Sequence, residues 1–158
     1  MTQNLLFRIA NRDDAEEIAN LFNICCGGWP DEGIVREADA AEIGRILTDG
    51  RHYSFVYDNP DCFDSLLGCI TVRLHTPQRQ RADIAAIAVC PESQRQGIGG
   101  ALLKAAEGFA SDHLKQGSLT VRIPADKGVL ADYCERLGYG RCMTQPEDGF
   151  IRLEKRLF

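Results

Sequence analysis

No apolar run in this chain approaches the roughly 18 residues that a membrane-spanning helix requires. No charged-then-apolar leader stands at its start either, so the expectation is a soluble, cytoplasmic protein with no membrane partner. Its seven cysteines, at 25, 26, 62, 69, 90, 134 and 142, include no C-x-x-C pair, and none of the three histidines lies beside one. A structural zinc site needs such spacing; no metal is therefore expected, and reduced thiols suit the cytosol best. Positive charge is also in short supply. Lys and Arg number 18 against 23 Asp and Glu, a net charge of -5, which speaks against non-specific nucleic-acid binding. Repeats, low-complexity tracts and linker-like segments are lacking, and 158 residues suffice to bury one core. A single domain over residues 1–158 is expected.

The most informative absence is local. From Gln94 onward the first acidic residue is Glu107, although helices usually carry Asp or Glu in their first turn. Just before this gap, the apolar run Ile84–Val89 reads as a buried strand bounded by Pro91. Just after it, Ile98, Leu102, Ala105, Ala106 and Phe109 have the spacing of one helical face. Between them lies Gln94-Arg-Gln-Gly-Ile-Gly-Gly100. Glycines let the backbone approach a ligand, and the first amides of a helix have no intrahelical partners. The helix dipole adds about half a positive charge there. Strand, glycine turn and helix make an anion site. It is not a P-loop, which ends in Gly-Lys-Ser/Thr, nor a dinucleotide fingerprint, since Leu102 stands where Gly or Ala is wanted.

Elsewhere the pattern alternates between strand and helix. Leu5–Ala10 is a short strand, and Asn11 caps a helix with an inward face of Ala15, Ile18, Ala19, Leu21 and Phe22. Residues 24–35, with Gly27, Gly28, Pro30 and Gly33, read as a loop carrying Trp29, Asp31 and Glu32. Trp29 has two readings there, a substrate-stacking ring or a half-buried anchor. A helix over Glu37–Leu47 follows, then strands at His52–Asp58 and Leu66–His75, and a polar connection over Thr76–Arg81. Past the glycine turn come a strand at Ser118–Ile123, a helix over Leu130–Leu137 stopped by Gly138, and closing strands at Arg141–Met143 and Phe150–Leu157. The result is an α/β (α+β) fold: a mixed, mostly antiparallel sheet with helices on both faces and one parallel strand-helix-strand unit. The adjacent Cys25 and Cys26 read as small buried hydrophobes rather than pocket residues.

Three features carry a resemblance to a known family. Gln94-x-x-Gly97-x-Gly99 resembles the Gln/Arg-x-x-Gly-x-Gly/Ala signature of the GNAT superfamily of N-acetyltransferases. The run Phe7–Phe22 is similar to that family's opening strand and first helix, and the element order matches over the whole chain. Asp126 to Tyr139 is similar to a later family segment: Tyr133 falls on its tyrosine and Gly138-Tyr139 on its Gly-Phe pair, while Asp126 replaces an asparagine and Val129 an alanine.

The resemblance implies acetyl-CoA as cosubstrate, held along Ile87, Ala88 and Val89 by its pantetheine arm. It further implies a pyrophosphate site over Gln94, Arg95, Gln96, Gly97, Ile98, Gly99 and Gly100, with Asp126 as a further coenzyme contact. The implied activity is transfer of an acetyl group to a primary amine of a small molecule by direct attack in a ternary complex. Such a reaction needs a neutral amine, a donor for the tetrahedral oxyanion and a proton for the departing thiolate. A phenol, with an ordinary pKa near 10, suits the last task, and the resemblance assigns it to Tyr133. A main-chain amide of the central strand would serve the oxyanion. No general base is assigned: Ala85 and Ala86 occupy the positions where relatives carry acids, leaving Asp83, Glu32, His75 or a water chain. Two other readings stand beside this one, a protein or peptide N-acetyltransferase and a non-catalytic acyl-CoA-binding regulatory domain. The closing strands can pair across chains, which allows a homodimer.

Overall fold

A computed structural model describes residues 7–31, 34–61, 65–74, 81–90, 97–125, 128–142 and 149–157. Strand β1 (Phe7–Ile9) leads into a 3-10 turn over Arg12–Asp14 and then helix α1 (Ala15–Cys26). Asn11 caps the turn through Asp13 N, and Asp14 reaches back to the Asn11 amide at 2.8 Å. Asp14 is also gripped by Arg8, which bonds both its oxygens at 2.8 Å and Asp58 as well. The guanidinium holds the Asp14 carboxyl below its ordinary value. It ties β1, the turn and the next sheet strand into one corner.

A short hairpin follows, β2 (Trp29–Asp31) and β3 (Ile34–Arg36), where the sequence reads as a loop. Glycines and proline hid it. Gly28, at φ 144°, passes so close under the Arg36 carbonyl that any Cβ there would collide with it. Trp29 is buried, its ring 4.7 Å from that of Phe22, so it is the core anchor of the two readings. Helix α2 (Ala40–Leu47) starts at the cap Asp39, three residues later than its pattern suggests.

The main sheet adds β4 (His52–Asp58), β5 (Leu66–Leu74), β6 (Arg81–Val89), β7 (Ser118–Pro124), β8 (Gly140–Arg141) and β9 (Phe150–Arg156). Its order is β1-β4-β5-β6-β7-β9-β8, antiparallel except for β6 and β7. Helix α3 (Ile98–Asp112) makes the crossover between those two, and α4 (Gly128–Arg136) precedes β8. Strand β6 begins three residues earlier than its apolar run because Ala82 and Asp83 pair on both sides, with β5 and with β7, and Arg81 pairs with β7. Those backbone bonds outweigh the polar side chains, and Asp83 is balanced by Arg73 at 3.1 Å and by the Thr120 hydroxyl.

Two apolar layers flank the sheet. On one face α3 and α4 bury Leu102, Leu103, Ala106, Ala131 and Cys134 against Ile70, Val72, Leu119, Val121 and Leu153. On the other, α1 and α2 bury Ile18, Phe22 and Ile43 against Val56, Cys69, Ala86 and Ala88. Tyr139, at the position where the resemblance expects phenylalanine, is buried with its hydroxyl donating to Glu107 at 2.9 Å. Lys155 completes that cluster, 3.0 Å from Glu107, and burial beside the carboxylate pushes the Tyr139 phenol far up. Among the described residues no helix is long and apolar enough to cross a membrane.

Candidate active site

Strand β6 carries one residue too many. Opposite Thr71 stands Ala86, but opposite Val72 stands Ile84, so Ala85 has no partner on β5 and forms a bulge. The bulge flips the faces of everything beyond it. Before it, Ala82 and Ile84 face α3; after it, Ile87 and Val89 do, while Ala86 and Ala88 turn to α1. The parallel pairing with β7 stops at the same place, at Ile84 opposite Val121. Beyond that point β6 and β7 part and leave a cleft in the sheet.

Backbone direction follows from the register. The Cys90 amide donates to Leu67 O on β5 at 2.7 Å. In an antiparallel pair the bonded positions alternate, so Ala88 and Ala86 also turn their polar groups to β5. The peptide groups of Ile87 and Val89 then point the other way, into the cleft. Ala88, expected among the coenzyme contacts, is thus committed to its neighbour strand, and its carbonyl lies near Gly68. Ile87 and Val89 present the edge.

The mouth of the cleft is the N-terminus of α3. Gly97 caps it at φ 83°, a left-handed conformation that disfavours side chains, and makes no side-chain cap. The first turn carries no acid. Among the described residues the first helical bond runs from the Ala101 amide to Gly97 O at 3.0 Å, so the amides of Ile98, Gly99 and Gly100 precede the helical ladder. Gly100 has a particular neighbour: a Cβ built on it would lie 3.4 Å from the Tyr133 hydroxyl. The half-buried Tyr133, on α4, therefore brings its oxygen to the first turn of α3. Arg136, one turn on, sits 5.9 Å over its ring. Gly68 lets α3 approach β5, since a Cβ there would meet Leu102 at 2.9 Å.

The opposite rim is built from thiols. Cys26, at the exposed C-terminal end of α1, donates weakly to Ile87 O at 3.9 Å, rather than being buried as its sequence suggests. Cys25 is half-buried; burial, with Cys26 and Cys90 nearby, pushes its thiol up to about 11. Asp83 is four positions before Ile87, on the order of 12 Å along a strand, and is held by Arg73 and Thr120. It is too far from the cleft edge to take a proton there directly. Glu32, His75, Gln94, Arg95, Gln96 and Asp126 lie outside the described residues. Among those described, no group of His, Cys, Asp and Glu is arranged to hold a metal ion.

A strand edge opened by a bulge, a bare helix N-terminus and a phenol beside it form one continuous site. The model of the acetyltransferase (GNAT) family matches residues 15–139, a span that holds all three. The chain belongs to that family. It is thereby an acyltransferase, and the family uses acetyl-CoA. No curated protein matches. Among solved structures, a mutant of the spermidine N-acetyltransferase SpeG from Vibrio cholerae is similar at 17% identity and a TM-score of 0.76, with 96% of this chain and 92% of that one covered. An acyl-CoA N-acyltransferase from Klebsiella pneumoniae, described as putative, is similar at 18% identity and a TM-score of 0.69, over 96% and 97%. At such identities the likeness is one of fold, and this GNAT chain shares it over 96% of its length.

Of the residues singled out from the sequence, Ile87, Val89, Gly97, Ile98, Gly99, Gly100 and Tyr133 lie around this one edge. Sequence reasoning missed the bulge and the thiol at Ile87 O. The bulge left no mark because Ile84–Val89 is apolar on both faces.

Proposed function

We propose that this protein transfers the acetyl group of acetyl-CoA to the primary amine of a small molecule, by direct attack with both substrates bound. The observation that carries the reading is the Tyr133 hydroxyl at the bare first turn of α3, beside a β6 edge left open past Ala85. Bound acetyl-CoA would supply a thioester carbonyl and a thiolate leaving group. The amides of Ile98, Gly99 and Gly100, with the α3 dipole, suit its pyrophosphate. Gly97 keeps that approach clear, as nothing lies within 4 Å of where its Cβ would be. Ile87 and Val89 offer main-chain groups to the pantetheine arm, and an amide on this edge serves as oxyanion donor. Tyr133 gives its proton to the departing sulfur. The attacking amine must be neutral. Ala86 and Ala88, buried on the α1 side, bring no charge to hold it protonated, so desolvation in the cleft favours the neutral amine.

Two measurements test this. Saturating acetyl-CoA, at about a hundred times its dissociation constant, adds roughly 2.7 kcal/mol, enough to raise Tm by several degrees while adenosine alone does not. Replacing Tyr133→Phe is expected to lower kcat by about 100-fold or more and leave that Tm shift intact. Full activity in this variant removes the proton donor from the scheme, and no shift in the parent protein removes the coenzyme site.

A further inference from the structure

Tyr133 and Tyr139 each lie under a cation, but their protons have different uses. Lys155 stands 5.7 Å over the Tyr139 ring, and the buried Tyr139 hydroxyl donates to Glu107 at 2.9 Å. That proton is committed to the core. Arg136 stands 5.9 Å over the Tyr133 ring. There the hydroxyl faces the first turn of α3 instead, 3.4 Å from where a Cβ on Gly100 would be.

We propose that Arg136 is a positioning residue for the transfer. It holds the Tyr133 ring toward α3 and stabilises the phenolate left when the proton goes to the departing sulfur. The inference rests on the transferase reading and adds a second side chain to its acid. A guanidinium over an aromatic ring is attracted by the ring's negative face. The attraction grows when the Tyr133 O–H bond breaks and the S–H bond forms, because the phenolate keeps the electron pair. An interaction that strengthens on the way to the transition state raises kcat rather than affinity. Positions i and i+3 of a helix are neighbours, so α4 itself builds the pair. The ion pairs around it keep Arg136 there. Asp132, four positions earlier, is its ordinary helical partner, and Glu135 precedes it in sequence. Arg141 of β8 takes both acids, Asp132 at 3.0 Å and Glu135 at 2.8 Å. The first turn of α3 brings no acid, and Glu107, further along that helix, is engaged by Tyr139 and Lys155. The Arg136 guanidinium settles on the ring.

The test uses the full chain, acetyl-CoA and a panel of lysine, ornithine, 1,4-diaminobutane and tyramine, with free CoA and N-acetyl products followed by mass spectrometry. Arg136→Gln should lower kcat about three- to fivefold, the worth of a cation over a partly exposed ring. KM for acetyl-CoA and the Tm shift it causes should not change. Arg136→Lys should bring kcat back to within about twofold of the parent, since Lys155 already stands over a tyrosine ring in this fold. In a Tyr133→Phe background the Arg136→Gln change should do nothing further, because no phenolate forms; such a cycle isolates the coupling of the two side chains. Circular dichroism checks that each variant is folded. An unchanged kcat in Arg136→Gln, or a further loss in the Tyr133→Phe background, overturns the inference while the transferase reading stands. A raised KM with kcat kept would make Arg136 a ligand of the coenzyme phosphates and overturn it equally. Full activity in Tyr133→Phe removes the acid and this inference with it. An acetyl-CoA Tm shift with no panel amine acetylated and no CoA released overturns it too, and with neither shift nor product the transferase reading falls as well.

Discussion

Replacing Gly100→Ala should move stability and activity in opposite directions. Gly100 is the third residue of α3 and has no positive φ, so alanine fits the helical backbone. In a helix interior, alanine is worth up to about 1 kcal/mol over glycine, and for a chain of this size that raises Tm by roughly 2–4 °C. The new methyl, however, sits 3.4 Å from the Tyr133 hydroxyl, at the near limit of ordinary contact. It occupies space on the side from which a leaving sulfur would meet that proton. Displacing a reacting group by about 1 Å costs on the order of 100-fold, so a contact at this limit predicts a fall in kcat of about tenfold. In Gly100→Val the side chain reaches one bond further and the loss should approach the full 100-fold, with a smaller gain in Tm. Thermal melts and steady-state rates on the two variants suffice. Both variants turning over like the parent would refute the claim that proton donation happens at the first turn of α3.

Two further outcomes follow from charge and exposure. Asp14 is held below its ordinary pKa by Arg8; such a group stabilises the fold above the unfolded value and loses that contribution as pH falls through the folded one. Asp14→Asn should therefore cost about 1–3 kcal/mol near pH 7 and almost nothing once the pH is well below 3.8, read from urea unfolding at several pH values. A cost unaffected by pH would contradict the assignment. Among the described thiols, Cys26 and Cys142 are exposed, while Cys69 and Cys134 are buried and Cys69 is pushed up to about 12. Brief iodoacetamide treatment followed by peptide mapping should label the first two first. Early labelling of Cys69 would contradict its burial.

What was legible in the sequence is what periodicity and steric need record. Tyr53, Phe55 and Tyr57 alternate along β4, and Ile98, Leu102 and Ala106 keep a helical stripe on α3. Gly97 and Gly138 stand where the backbone turns left-handed. What was not legible depends on partners distant in sequence. The β2–β3 hairpin exists because Gly28 lies under the Arg36 carbonyl and Trp29 packs on Phe22, and neither contact has a local signature. Arg81 reads as the end of a polar connection until Ser118 is seen opposite it, and Ala82 and Asp83 join the strand because β5 and β7 bracket them.

The bulge at Ala85 makes the cleft a matter of counting rather than of chemistry. Alanine contributes no reactive group there, so a point substitution scan would pass over it as tolerant. A deletion would not be tolerated in the same sense. With one residue fewer, Ile84 and Ala86 would follow each other in a regular ladder opposite Val72 and Thr71; Ile87 and Val89 would keep their faces, but the strand would lose the bend that a bulge imposes. The edge that now faces the gap would be free to continue its pairing with β7. The sheet would be more regular, and the enzyme would have closed its own door. In this protein the opening of that edge is set by the length of one strand relative to its neighbour, a quantity that insertions and deletions can change and substitutions cannot.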